Sequence, residues 1–365
     1  MSYFDHAATS LPRAPVALEG ALRGAELGNP GRGLHRLQRA AADEVDRARR
    51  AVGALLPAMT VTFHAGATAA LNQAIAGLRP RPRVVALGPM LHNAARRPAR
   101  ALGVPTWTLP HDADGVIDLD RARAEWVDDT GLVVVGHSSN VTGVGQPVEA
   151  LCALAKALGA RVVLDAAPTA GVWSLDLGAD LVAFSAHKHL RALPGTGVLG
   201  VGPGVELEPL VRGGVGFDAA ADEMPEVLPE RLEAGTPNLP GILALGAAAR
   251  VGVSWDVEAA SGALEEVVHA AGLRVLGRSA DAPALPVVSF TVAGQEPRAV
   301  EEMLDRVFDV TVRAGLHCAP SAHRVLGTER TGTVRVSSGS TTTAGDLAEL
   351  ARALGDLARH ARAAS

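Results

Sequence analysis

The sequence has little of what several classes of protein require. Its two cysteines cannot form a disulfide framework, nor can they alone build a four-thiolate metal site. Aromatic residues make up only 3% of the 365 residues, which disfavours stacking platforms for single-stranded nucleic acid. No apolar run reaches membrane-spanning length, and the first residues lack the basic and apolar blocks of a signal peptide. We therefore expect a cytoplasmic protein that does not enter a membrane.

Charge and composition restrict the function further. Lys and Arg number 34 against 39 Asp and Glu, a net charge of −5, which argues against a sequence-independent binder of nucleic acid. The histidines lack metal-ligand spacing to acidic or cysteine partners, so no metal site is predicted. Because 48% of the residues are hydrophobic, a large buried core is available.

Short apolar runs alternate with helical patterns through the first two thirds of the chain. Most of the runs are continuous rather than alternating, which is typical of strands covered on both faces. One intervening helix is predicted after Pro147, where Val148, Leu151 and Leu158 share a face that Gly159 ends. The predicted strands are 61–63, 83–87, 132–135, 161–164, 181–184 and 198–201. Strand–helix alternation predicts an α/β fold with a mostly parallel sheet.

The pattern changes after Gly252. Helical patterns at 257–272, 300–307 and 344–361 there alternate with strand-like segments in a smaller α+β arrangement. We therefore predict a large α/β domain at 1–252 and a small α+β domain at 253–365.

Two predicted strands end in an acid and a base. Asp165 follows one buried run, and the next leads through Ser185 and His187 to Lys188. The carboxyl ends of strands in an α/β sheet face the crevice that binds ligands. Pyridoxal phosphate chemistry requires such a pair: the lysine binds the aldehyde as a Schiff base, and the aspartate keeps the pyridine nitrogen protonated. Alone, this pair is more often a surface lysine and a helix-capping aspartate.

A second feature suggests a phosphate site. Strand 61–63 leads through Gly66 into a predicted helix, where the backbone N–H groups of Ala67 and Thr68 and the Thr68 hydroxyl could bind phosphate at the helix N-terminus. Many helices begin this way, so the motif is weak by itself.

Seven ordered blocks make the interpretation specific, because together they resemble the cysteine desulfurase and selenocysteine lyase branch of the class V aminotransferase superfamily. The blocks are YFDHAAT at 3–9, NPGRG at 29–33, GATAALN at 66–72, HSSNVTG at 137–143, EAGTPN at 233–238, RAGLHCAP at 313–320 and GTVRVS at 332–337. The resemblance implies the fold of pyridoxal-phosphate-dependent transferases, aspartate aminotransferase-like, with the extreme N-terminus packing on the small domain.

The resemblance also implies a role for each matching residue. Lys188 resembles the Schiff-base lysine, Asp165 the partner of the pyridine nitrogen, and His92 the histidine stacked on the cofactor ring. Asn140 and Arg335 resemble the groups that bind the substrate carboxylate, and Asn140 is also expected to contact the cofactor. Residues that resemble the phosphate-binding set are Ala67, Thr68, Ser185, His187 and, reaching from a neighbouring subunit, Thr236. A homodimer with shared active sites is therefore expected.

Three positions depart from the family pattern. Pro168 stands where a glutamine usually donates to the phenolic oxygen of the cofactor, and Leu91 replaces a usual glutamate before His92. The sequence HLRA at 189–192 replaces a small, Gly-rich stretch after Lys188. We interpret these changes as divergence rather than loss of catalysis.

The two cysteines receive opposite predictions. Cys318 occupies the family position of the thiol that attacks the substrate sulfur, and a positive charge on His317 or Arg313 would favour its thiolate. Cys152 lies on the apolar face of a predicted helix and is expected to be core.

Three functions follow, of which the first is favoured. It is an L-cysteine desulfurase that releases alanine and leaves the sulfur on Cys318 as a persulfide for an acceptor protein or thiol; a selenocysteine lyase is its near variant. The second is another pyridoxal phosphate enzyme, such as an aminotransferase, an epimerase or a carbon–sulfur lyase for larger substrates, which Pro168 keeps open. The third is a non-catalytic scaffold, which Lys188, Asp165 and Arg335 disfavour.

Overall fold

The computed structural model describes residues 1–31, 35–216 and 221–364. The strands, numbered along the chain, are β1 (Ser2–Tyr3), β2 (Thr60–His64), β3 (Leu78–Arg79), β4 (Val84–Leu87), β5 (Thr106–Thr108), β6 (Thr130–Gly136), β7 (Arg161–Asp165), β8 (Leu181–Ser185), β9 (Gly197–Val201), β10 (Glu206–Leu207), β11 (Val275–Leu276), β12 (Val287–Phe290), β13 (Val310–Thr311), β14 (Arg313–Gly315) and β15 (Thr333–Ser337). The helices are α1 (Pro15–Ala25), α2 (Arg36–Gly53), α3 (Ala67–Gly77), α4 (Asn93–Ala101), α5 (Leu119–Ala124), α6 (Val148–Ala157), α7 (Leu239–Val251), α8 (Val257–Ala270), α9 (Pro297–Phe308), α10 (Pro320–Val325) and α11 (Ala344–Ala364).

A seven-stranded sheet forms the centre of the larger part, in the order β2-β9-β8-β7-β6-β4-β5. Strands β5, β4, β6, β7 and β8 run parallel, while β9 is antiparallel to both of its neighbours. The six strands predicted from sequence are all in this sheet, and the α/β class with a mostly parallel sheet is confirmed. The short edge strand β5 was not predicted, because Thr-Trp-Thr carries no apolar run.

Both faces of this sheet are buried. Along β6, Val133 and Val135 pack in one apolar cluster with α2, α6 and α7, whereas Leu132 and Val134 pack in another with α3 and α4. Successive side chains of a strand point to opposite faces, so a strand buried on both sides must be apolar at every position. This explains the continuous apolar runs. Among the described residues, no helix is long and apolar enough to cross a membrane.

A four-stranded antiparallel sheet in the order β11-β12-β15-β14 forms the smaller part, packed with α8, α9 and α11 around its own apolar cluster. The N-terminal strand β1 pairs with β13, and the side chain of Phe4 is fully buried in this same cluster. The N-terminus thus packs on the C-terminal sheet. The division of the chain at 252 and 253 stays a prediction.

Candidate active site

A cavity of about 230 Å³ opens where β6, β7 and β8 end. Each of these three strands ends in a residue that lines the cavity: Gly136, Asp165 and Ser185. Most of the residues predicted from sequence line this one cavity: Ala67, Thr68, His92, Asn140, Asp165, Ser185, His187, Lys188, Cys318 and Arg335. These residues are far apart in the sequence, and the fold brings them together because strand ends and C-terminal loops meet at the cavity.

Asp165 and Lys188 both line the cavity and interact electrostatically. Asp165 is buried, and its carboxylate accepts a hydrogen bond of 3.0 Å from the Ala167 N–H. Burial raises the pKa of Asp165, and the Lys188 charge and this N–H oppose that rise. Burial lowers the pKa of Lys188, an effect that Asp165 counters. The lysine is therefore easier to deprotonate than an exposed one, while a carboxylate lies nearby to stabilise a cation.

A glycine turn at the start of α3 lies on the same cavity. Gly66 adopts φ +123° before α3 and provides no side-chain cap, so the N–H groups that follow Ala67 in the first turn remain for a ligand. Strand β9 passes so close that a Cβ at Gly197 would lie 2.4 Å from the carbonyl carbon of Gly66. The Ala67 N–H donates to the Ser185 hydroxyl over 2.9 Å, which joins the turn to the end of β8. The Thr68 N–H and hydroxyl, at the start of the same helix and on the cavity lining, suit a phosphate.

His92 and His187 are both neutral in this cavity. Burial, with the Lys188 charge adding to it, lowers the pKa of each to about 4. His92 is the N-cap of α4, and its Nδ1 accepts a hydrogen bond of 3.0 Å from the Ala94 N–H. This bond requires the proton of His92 to be on Nε2. His187 shares a hydrogen bond of 2.9 Å between its Nδ1 and the Thr9 hydroxyl.

The loop that carries Cys318 spans only four residues, 316–319, between β14 and α10. His317 and Cys318 both have left-handed backbone angles, with φ of 49° and 55°. Two hydrogen bonds fix the loop: Asn140 Nδ2 donates to the carbonyl of His317 over 2.8 Å, and the Asn93 N–H donates to that of Cys318 over 2.7 Å. The exposed thiol-bearing side chain of Cys318 is thus held at the cavity by its backbone.

His317 does not provide the positive charge considered for the thiolate. Its Nε2 lies 3.3 Å from the Arg313 carbonyl and its Nδ1 lies 3.4 Å from Nε2 of the buried His323. Burial lowers the pKa of His317 to about 2, with the Arg335 charge as the next cause, so the ring is neutral. That part of the hypothesis is wrong, and Arg313, which also lines the cavity, is the remaining cation.

Cys152 is core, as predicted. It packs in the apolar cluster under α6, and burial raises the pKa of its thiol to about 12.

Arg335 and Asn140 form one connected group. Arg335 lies on β15 with only 2% of its surface exposed. Its Nη1 donates to the Asn140 carbonyl over 2.9 Å, and its Nη2 donates to the Asp5 carboxylate over 2.5 Å. Arg335 Nε and Asn140 Oδ1 are buried without a hydrogen-bond partner. Buried polar atoms are normally paired, so this group suits a bound polar ligand. Sequence reasoning gave Asp5 no role, although it lies in a matching block.

Two of the predicted features lie elsewhere. Thr236 is exposed and does not line this cavity; its loop is fixed by Glu233, whose carboxylate accepts from Arg49 over 2.6 and 2.9 Å. Its contact with a neighbouring subunit stays a prediction. Arg32 and Gly33 of the block at 29–33 lie outside the described residues.

The residues of this cavity fit pyridoxal phosphate. Lys188 and Asp165 offer the amine and the carboxylate, the turn at Gly66 offers phosphate donors, and Asn140 Oδ1 lacks a partner. Pro168 lines the cavity without a donor, as expected from its chemistry, while the Ser138 hydroxyl is present on the same lining. Among the described residues, no group of three or more His, Cys, Asp or Glu side chains could hold a metal ion.

Comparisons with known proteins agree with this geometry. The chain is 32% identical over 332 residues to a probable cysteine desulfurase of Methanothermobacter thermautotrophicus, covering 85% of this chain and 82% of that protein. It is 34% identical over 364 residues to a probable cysteine desulfurase of Pseudomonas putida, covering 93% and 89%.

Solved structures give the same result. The apo cysteine desulfurase of Thermococcus onnurineus NA1 is similar with a TM-score of 0.90 at 29% identity, covering 98% of this chain and 95% of that one. The cysteine desulfurase CsdA of Escherichia coli is similar with a TM-score of 0.83 at 26% identity, covering 98% and 94%. Residues 2–350 match the family described as aminotransferase class-V, whose members depend on pyridoxal phosphate. The chain therefore belongs to the class-V aminotransferase family.

Proposed function

We propose that this protein is a pyridoxal-phosphate-dependent cysteine desulfurase that converts L-cysteine to L-alanine and takes the sulfur on Cys318 as a persulfide. The observation that carries the proposal is the placement of the Cys318 side chain on the same cavity as Lys188 and Asp165. An aminotransferase has no need of a thiol there. The relatives named cysteine desulfurase support the same activity.

Each residue of the cavity has a defined task in this proposal. Lys188 would hold the cofactor through Nζ, Asp165 its ring nitrogen, His92 its ring, and Ala67, Thr68, Ser185 and His187 its phosphate. Bound in this way, pyridoxal phosphate supplies an electron sink for the bonds at the substrate α-carbon. Lys188 Nζ, whose pKa burial lowers, takes the α-proton as the general base.

The sulfur transfer itself takes place on this chain. Arg335 holds the substrate carboxylate, and the Cys318 thiolate attacks the substrate sulfur. An S–S bond forms as the C–S bond breaks, the electron pair of that bond stays with carbon, and protonation gives alanine. The persulfide then passes to an acceptor thiol or protein.

The two cysteines provide the test. Cys318→Ala should release no sulfide or alanine from L-cysteine above background, while Cys152→Ala should retain activity, because its thiol lies in the core. Full activity of Cys318→Ala on cysteine would disprove the persulfide role. Retention of activity on selenocysteine alone would instead indicate the lyase variant, whose weaker carbon–selenium bond needs the thiol less.

We also propose a homodimer in which Thr236 contacts the cofactor phosphate of the partner. The exposure of Thr236 and its separation from its own cavity support this. Thr236→Ala should weaken cofactor affinity in a dimer whose mass, measured by light scattering, is unchanged; a monomeric wild-type protein would contradict the proposal.

A further inference from the structure

The Arg335 guanidinium already holds a carboxylate from its own chain. Asp5 Oδ1 accepts from Arg335 Nη2 over 2.5 Å, and Asp5 Oδ2 lies 3.9 Å from Nη1 of Arg313. The Arg335 side chain is 3% exposed and that of Asp5 is 16% exposed. The electrostatic attraction within an ion pair this shielded from water is much stronger than that within a surface pair.

The backbone fixes Asp5 in this place. The Ser337 N–H donates to the Phe4 carbonyl over 2.8 Å, and the Ser337 hydroxyl accepts from the Ala7 N–H over 2.9 Å. Asp5 itself forms a β-bridge with Ser337, two residues beyond Arg335 on the same strand. The backbone therefore holds the Asp5 carboxylate beside Arg335, although Asp5 itself does not line the cavity.

The charges around the cavity give Asp5 a function. Of the described residues that line the cavity, Asp165, Lys188, Arg313 and Arg335 are formally charged. Asp165 interacts with Lys188, which leaves two arginines at the other end. Asp5, which contacts Arg335 from outside the lining, offsets one of them, and Glu301 of α9 acts on Arg313, also from outside.

We propose that Asp5 is a specificity-determining residue that restricts the Arg335 subsite to ligands with a single carboxylate. This inference rests on the proposed function only in that the substrate is an amino acid. A guanidinium has five N–H groups; Asp5 and the Asn140 carbonyl each take one, so one further carboxylate can bind. A second negative charge on that ligand is repelled by Asp5, and at separations of about 6 Å inside a protein such repulsion changes affinity at least about tenfold.

The test compares propionate with succinate, which carry one and two carboxylates and no amine. Their dissociation constants are measured by calorimetry on the cofactor-loaded enzyme. Wild type should bind propionate more tightly than succinate. Asp5→Asn keeps an oxygen acceptor for Arg335 without the charge, and should shift the ratio of the two constants toward succinate at least about tenfold. Arg335→Gln should abolish the binding of both acids, which would show that they bind at Arg335.

Asp180→Asn is the matched control. Asp180 pairs with Arg161 over 2.6 Å at the opposite end of β7, so its removal makes the same change in net charge away from the cavity. It should leave the ratio unchanged, and Asp5→Glu, which keeps the charge, should preserve the wild-type preference.

Three results would overturn the proposal: a ratio in Asp5→Asn within about twofold of wild type, an equal shift in Asp180→Asn, or wild-type binding of succinate as tight as that of propionate. The last result is measured on the wild-type protein alone, so it does not depend on whether any variant folds. Failure of the proposed function is a separate result, since wild type would then release no alanine from cysteine while the shift in ratio persists.

Discussion

The cavity has two walls that are built in different ways. The sheet wall consists of Ala67, Thr68, Asp165, Ser185 and Lys188, and the thiol wall consists of Arg313, His317, Cys318 and Arg335. The sheet wall lies at the ends of neighbouring strands, so backbone pairing such as Gly136 with Asp165 fixes its geometry. In the thiol wall, Arg313 and Arg335 are paired on β14 and β15, but the loop that carries His317 and Cys318 depends on single hydrogen bonds from distant segments, such as Asn140 to His317. The reacting groups of the first wall are therefore positioned by the central sheet, whereas the thiol of the second is positioned by a few hydrogen bonds to its loop.

The largest expected effect is on the sheet wall. Lys188→Ala should lower desulfurase activity about a thousandfold or more, because it removes both the cofactor attachment and the base. The chain has two lysines, so Lys156→Ala, at an exposed position on α6, is the control. After borohydride reduction of the wild-type protein, peptide mass analysis should find the cofactor on Lys188. Cofactor on Lys156 would contradict the assignment.

Asp165→Ala should lower the turnover number about a hundredfold, since a preorganised charge beside the cofactor ring is lost. Cofactor content, measured by visible absorbance per protein, should remain close to wild type because the lysine and phosphate donors are intact. Equal losses of activity and cofactor would instead make Asp165 a structural residue.

Breaking one bond of the thiol wall should have a smaller effect. Asn140→Ala removes the donor to the His317 carbonyl, and should lower persulfide formation about tenfold because Cys318 is less well placed. The control is Asn72→Ala, whose amide donates to the Thr68 carbonyl on the other wall. Mass spectrometry of Cys318 after one turnover measures the product; equal effects in both variants would show that the two walls do not differ in this respect.

The smallest effect on activity, and a clear one on stability, is expected at His323. Burial lowers its pKa to about 4, so between pH 6.5 and 4 the unfolded chain binds a proton that the folded protein excludes. The free energy of unfolding should therefore decrease as the pH is lowered through that window, by up to about 1.4 kcal/mol per pH unit for this residue. His323→Gln should show a shallower loss in urea unfolding at pH 7, 6, 5 and 4. Parallel curves would contradict this assignment.

More of the sheet wall than of the thiol wall could be predicted from the sequence. Asp165 and Lys188 could be placed because buried strands are readable as apolar runs, and the ends of parallel strands meet at one edge. Arg335 and Cys318 could be assigned only by resemblance. The contact of Asp5 with Arg335 could not be predicted, because it depends on an isolated bridge between Asp5 and Ser337 that leaves no periodic pattern in the sequence. The orientation of the His317 ring was also unreadable, since it is decided by burial against His323.

The contact of Asp5 with Arg335 also affects when the enzyme can become active during its synthesis. Asp5 and its partner Arg335 are 330 positions apart in the chain. Contacts of such separation form late in folding because the intervening loop must first be closed. A nascent or truncated polypeptide that ends before β15 can carry Lys188 and still lack the anchor for a substrate carboxylate.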